Sequence, residues 1–231
     1  MSTRTQIGVV PEELVTPVAC DTQQRQIAAM ALSLMLRYPE EEFFSTAETV
    51  EDQLGLLPAP VAAEIAEFIG RARGLGLLPL QEHYVETFDQ RRRCALHLSY
   101  YSVGDTRQRG AAILAFRQQL AGLGMEEISE ELPDHLCVVL EALALADADS
   151  QQHALEMIAS HRDGLEVLRH ALVGLGSPYA HLLTAVCMLL PTISEETIAR
   201  YINLIRQGPP AEMVGIETTP LPFPTASPNH N

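Results

Sequence analysis

The chain has 231 residues, 15 of them basic and 30 acidic, for a formal charge of −15. Apolar residues make up 47% and charged residues 19%, a globular composition that excludes general disorder. Every base is an arginine, because lysine is absent, and so acidic a surface repels phosphate backbones; nucleic acid is not an expected partner.

Residues 1–23 offer no helical period and are expected to form a flexible extension. They carry one arginine and no sustained apolar run, so they do not read as a secretory signal. Helix-period segments follow at roughly 24–38, 58–73, 79–90, 105–122, 133–148, 151–174, 177–190 and 194–207. Their punctuation agrees. Pro39 ends the first, Gly74 and Gly76 follow the second, Asp105 and Thr106 suit the start of the fourth, and Pro133 suits the first turn of the fifth. Ser177-Pro178 and Ser194-Glu195-Glu196 open the last two in the same manner. The run from Leu132 to Leu145 is apolar nearly all round, the pattern of a helix buried at the centre of a bundle. The expected fold is therefore all-α, a single-domain helical bundle over 24–207 with a central buried helix.

After it, residues 208–231 hold six prolines, at 209, 210, 220, 222, 224 and 228, and are expected to be a flexible proline-rich tail. The most apolar stretch, from His181 to Pro191, is about half the length that spans a bilayer, so stable membrane insertion is not expected. Four scattered cysteines, Cys20, Cys94, Cys137 and Cys187, form no CxxC pair and no disulfide framework, which points to a reduced, cytoplasmic protein.

Catalytic spacing is missing. No two of the eight histidines lie three or four apart, so none share a helix face as paired metal ligands, and no metal or other cofactor is expected. There is no GxGxxG, no GxxxxGK[ST] and no GxSxG. Two stretches hold more than core packing requires. In residues 83–110, Tyr84 and Phe88 stack four apart on one helix face. Asp89, three arginines, His97, Tyr100 and Tyr101 follow. From periodicity alone plain core packing is the favoured reading of Tyr84 and Phe88, although a tyrosine hydroxyl needs a polar partner, which tilts Tyr84 and Tyr101 toward a wet rim. In residues 131–136, Asp134 and His135 open the most buried helix, where a carboxylate suits the helix dipole.

These two stretches, YVETFDQRRRCALHLSYYSVGDTRQRG and ELPDHL, closely resemble the NarJ-type chaperones, the delta-subunit assembly factors of respiratory nitrate reductase within the wider TorD-like family. The resemblance covers about residues 24–207 and is densest at 80–140. It implies a helical, non-enzymatic protein without a cofactor of its own. Its implied partner is the apo catalytic (alpha) subunit of nitrate reductase, bound by its N-terminal segment in the cytoplasm, with molybdenum cofactor biosynthesis proteins as further candidates. The implied task is to support molybdenum cofactor insertion before the complex docks on the membrane. Tyr84, Phe88, Asp89, His97, Tyr101, Asp105, Arg107, Asp134 and His135 match the family pattern and are the candidate client-peptide-binding residues. An amphipathic client helix laid in a groove between bundle helices is the physical form such binding takes. Two alternatives stand beside it: a metal- or thiol-dependent hydrolase using Asp134, His135 and Cys137, and a permanent adaptor subunit of a respiratory complex.

Overall fold

A computed structural model describes residues 14–104, 107–125 and 131–191. Within them lie ten α-helices: α1 Thr22–Met35, α2 Phe43–Gln53, α3 Ala59–Leu75, α4 Leu77–Tyr84, α5 Leu98–Val103, α6 Gln108–Gly122, α7 Leu136–Leu145, α8 Gln151–Ala159, α9 Arg162–Gly174 and α10 Tyr179–Leu189. Among the described residues there is no strand, only a single antiparallel bridge between His97 and His135. The fold is the all-α bundle that the helical periods predict.

The centre is α7, which buries Leu136, Cys137, Val139, Leu140, Ala142, Leu143 and Ala144 around its circumference. A helix with no wet face needs neighbours on every side. α1 runs along it, offering Ala28, Ala29 and Ala31, small residues that let two backbones approach closely. Ser33 completes that contact by donating its hydroxyl to the Cys137 carbonyl at 2.9 Å. α10, equally apolar, packs on α3, α9 and α1. Gly76 closes α3 with φ +82°, a left-handed turn that lets α4 begin at once.

The sequence periods and the helices differ in five places, the first being α5, Leu98–Val103, which no expected run covers. The expected run 151–174 is two helices, because Ser160 turns its hydroxyl back to the Met157 carbonyl and His161 leaves the helical conformation. That break lets Gly164 pass beneath Tyr101, so close that an added Cβ would lie 2.7 Å from the tyrosine Cβ. The fifth helix starts at Leu136 rather than Pro133. Its preceding residues pair across to another segment instead: Leu98 N–H donates to the Asp134 carbonyl and Leu136 N–H to the Leu96 carbonyl. α2 forms where no helix was expected, by burying Phe43, Ala47 and Val50 at i, i+4 and i+7. Finally, residues 14–20 of the expected flexible extension lie on the core, with Leu14, Val15 and Val18 packed against it. The expected helix at 194–207, the tail 208–231 and the capping pair Asp105–Thr106 lie outside the described residues.

Candidate functional site

A cavity of about 630 Å³ opens beside the start of α7. The end of α1 gives it Leu34, Arg37 and Tyr38, and the segment leading into α2 gives Glu40, Glu42, Phe43 and Thr46. Tyr84, Asp89 and His97 form a second side, and Glu131, His135, Cys137 and Val138 a third. Along this wall the aromatic rings pack in a chain: Tyr38 edge to face on Tyr84 at 5.5 Å, Tyr84 tilted on Phe88 at 4.8 Å, and Phe88 edge to face on Tyr179 at 5.0 Å between centroids. Tyr38 is 45% exposed, a large aromatic surface left to solvent at the mouth. Four carboxylates, Glu40, Glu42, Asp89 and Glu131, stand against one guanidinium, Arg37, which is paired with Glu141. The result is an aromatic wall within a polar lining and a negative rim.

Tyr84 and Asp89 reach the same cavity because of the backbone between them. In an α-helix residues five apart diverge by about 140°. Val85–Asp89 instead form a π-helical turn, closed by Gln90 N–H donating to the Val85 carbonyl, and its wider winding brings the fifth residue round toward the first. Tyr84 itself is buried, its hydroxyl donating to the Leu36 carbonyl at 3.2 Å, and burial pushes that phenol's pKa far above the ordinary range. Its partner is thus a helix end rather than the wet rim that a tyrosine suggests.

The Pro133-Asp134-His135 corner holds the densest chemistry. Asp134 is fully buried. Ser99 donates its hydroxyl to Asp134 Oδ2 at 2.5 Å, and His97 Nδ1 meets Oδ1 at 3.3 Å. Burial drives the carboxyl pKa upward, but the two hydrogen bonds outweigh it and hold the group below its usual value, so it stays ionised. His135 caps α7, its Nδ1 accepting from the Cys137 backbone N–H at 3.4 Å. Desolvation depresses His135 to about 4, which leaves the ring neutral near pH 7. The His97 and His135 rings meet edge to face at 5.1 Å.

Of the sequence candidates, Tyr84, Asp89, His97 and His135 therefore line one cavity, and Asp134 and Phe88 stand directly behind it. Tyr101 lies elsewhere: it is 3% exposed, and its hydroxyl donates to the Arg93 and Ala95 carbonyls, bracing the loop that carries His97. Arg107 is exposed just before α6 and away from the cavity lining, and Asp105 is outside the described residues. Sequence reasoning passed over Arg37, Tyr38 and the acidic segment 40–46. The available signal was an aromatic and a base placed just before Pro39, where a helix must stop. A second hollow of about 870 Å³, between the end of α6 and α8, touches none of the candidates.

The hydrolase alternative finds no support in this geometry. Ser99 and His97 both donate to Asp134, so no base faces the serine, whereas a nucleophilic triad needs the histidine between the other two. Cys137 is buried and its thiol is pushed up to about 12, so it carries almost no thiolate. Among the described residues no three His, Cys, Asp or Glu side chains converge on a possible metal position.

An all-α bundle with an aromatic-walled, acid-rimmed cavity is thus the class that fold and site define. Residues 55–185, more than half of the chain, match the nitrate reductase delta subunit family, and the chain belongs to it. Among curated proteins it is 34% identical over 174 residues to the "Nitrate reductase-like protein NarX" of Mycobacterium tuberculosis (strain ATCC 25618 / H37Rv), covering 74% of this chain and 26% of that one. The chain therefore spans about a quarter of that relative's length. It is 28% identical over 177 residues to the "Probable nitrate reductase molybdenum cofactor assembly chaperone NarJ" of Bacillus subtilis (strain 168), covering 75% of this chain and 93% of the relative. The "Nitrate reductase molybdenum cofactor assembly chaperone NarJ" of Escherichia coli (strain K12) is 29% identical over 136 residues, 58% of each chain.

Proposed function

We propose that this chain is a non-enzymatic assembly chaperone for a nitrate reductase. It holds the N-terminal segment of the apo catalytic subunit in the cavity beside α7 and so supports molybdenum cofactor insertion before the complex docks on the membrane. The observation that carries this reading is the cavity itself: Tyr84, Asp89, His97 and His135, all within the stretch that matches the family, are gathered from three separate segments onto one aromatic-walled, acid-rimmed hollow. Assembly-chaperone names among the relatives support the task.

The physics needs no covalent step. An amphipathic client helix places its apolar stripe on the Tyr38–Tyr84 wall, and the four rim carboxylates draw in a basic end and set its direction. Binding stabilises the unfilled client by mass action until folding around the cofactor competes it away. Chaperone and client meet in the cytoplasm; among the described residues no helix is long and apolar enough to cross a membrane. Molybdenum cofactor biosynthesis proteins are proposed as transient further partners during loading.

Calorimetry with a synthetic peptide of the catalytic subunit's N-terminal segment tests the reading. A dissociation constant on the order of a micromolar, about 8 kcal/mol, is expected at low salt. No heat at tens of micromolar peptide would overturn it. Co-purification with the finished, cofactor-loaded enzyme in fixed stoichiometry would favour the adaptor alternative.

A further inference from the structure

The two histidines of the corner are each held by one ring nitrogen. The Cys137 backbone N–H can only donate, so His135 Nδ1 carries a lone pair and the proton sits on Nε2. The Asp134 carboxylate can only accept, so His97 Nδ1 carries the proton and, in the neutral ring, Nε2 carries the lone pair. Neither Nε2 has a partner among the described residues, and both rings line the cavity. Side by side stand one donor, on His135, and, while its ring is neutral, one acceptor, on His97, with ring centres 5.1 Å apart.

We propose that this opposed pair of imidazole edges is a reading position for a neutral group that both donates and accepts a hydrogen bond, namely a carboxamide or hydroxyl side chain of the client segment. The proposal rests on the client-binding reading above and adds a polar specificity element to its aromatic wall. Charged groups fit poorly. A carboxylate has no proton for His97 and meets Glu131 and Asp89 on the same cavity, while an ammonium has no lone pair for the His135 N–H. An apolar group would leave both edges desolvated and unpaired, which is the source of discrimination at such positions.

Asparagine separates this role from a structural one. In His135→Asn the side-chain oxygen still caps α7, and in His97→Asn the amide still donates to Asp134, but both lose the outer edge. Each variant is expected to bind the catalytic-subunit N-terminal peptide three- to tenfold more weakly, with unchanged helicity, the size of one neutral hydrogen bond. Peptides with each Asn, Gln, Ser or Thr replaced singly by an apolar residue of similar shape locate the partner. At one of them the effect of the Asn variants disappears, and the residue type there tells carboxamide from hydroxyl. Wild-type affinity in both variants, or a loss that is equal for every peptide, overturns the proposal while leaving the client reading intact. Failure of the parent peptide to bind wild-type protein overturns both. Nitrogen-15 spectra of the imidazoles give a client-free check: protons on His135 Nε2 and His97 Nδ1 are expected, and the opposite tautomer at either ring overturns the pairing.

Discussion

Two buried polar clusters of this bundle make opposite uses of charge. At α9, Arg162 is 2% exposed and spends its whole guanidinium inside. Nε donates to Glu166, Nη1 to the Cys187 carbonyl at the end of α10, and Nη2 to the Val15 carbonyl of the N-terminal segment. Arg169 closes the cluster on the other carboxylate oxygen of Glu166. Beside α7, Asp134 is just as buried, but its partner His97 keeps one edge for the cavity. A cluster whose guanidinium bonds three separate segments of its own chain fastens elements together. One that keeps an edge back positions it for another molecule, and that difference separates a staple from a site where both look like buried ions.

The largest test of the contrast is Glu166→Ala, which strands Arg162 in the core. Chemical denaturation should show about 3–5 kcal/mol of lost stability, with peptide affinity of the folded protein within about twofold of wild type. A matching loss of affinity would show that the two clusters are one unit. Next comes acid. The unfolded chain protonates His135 near pH 6.5 and the folded chain not until about 4, so in this window the unfolded state binds more protons. Its contribution is whole above about pH 6.5 and falls by roughly 3 kcal/mol as the pH drops to about 4. His135→Asn should remove that increment from the pH profile of unfolding, and an unchanged profile would assign the acid sensitivity elsewhere.

Asp134→Ala deprives Ser99 and His97 of their shared acceptor. It should cost about 2 kcal/mol in stability and weaken the client peptide about tenfold, with helical circular dichroism retained. Loss of stability alone would move the corner to the staple side of the comparison. The smallest effect belongs to Arg37→Ala. Its ion pair with Glu141 is half exposed and should contribute less than about 1 kcal/mol to stability. Removing the cavity's base should instead strengthen attraction for a basic peptide end, seen as a faster association rate at low salt.

How much of this was written in the sequence follows from the range of each interaction. α1, α3, α6 and α10 were legible because their apolar periods are local. The all-round apolarity of α7 even placed it at the centre. α2 was legible in principle, since Phe43, Ala47 and Val50 hold a helical spacing, but the acidic residues around them masked it. The split between α8 and α9 was hidden because a hydroxyl turning back at Ser160 and a changed backbone at His161 leave the apolar period unbroken, and the close approach of Tyr101 to Gly164 that it permits comes from some sixty residues away. The corner was legible as a motif only. Nothing local to Asp134 says that it answers His97 and Ser99, 37 and 35 residues earlier, rather than capping its own helix. The far wall of the cavity, Arg37 to Thr46, was illegible for the same reason: three segments meet there only after the bundle has closed.

The wide turn at Val85–Asp89 makes the cavity's outline a matter of counting. A π turn amounts to one residue more than regular α winding needs. Excising a single codon there, such as that for Glu86, would let the segment relax into an unbroken helix with Asp89 four residues from Tyr84, about 40° round and still on the same face. Closing the turn with every residue kept would instead leave them about 140° apart and carry Asp89 away from Tyr84, although no side chain of either had been altered. The winding at this point, rather than the identity of any group, thus sets which of them share one hollow.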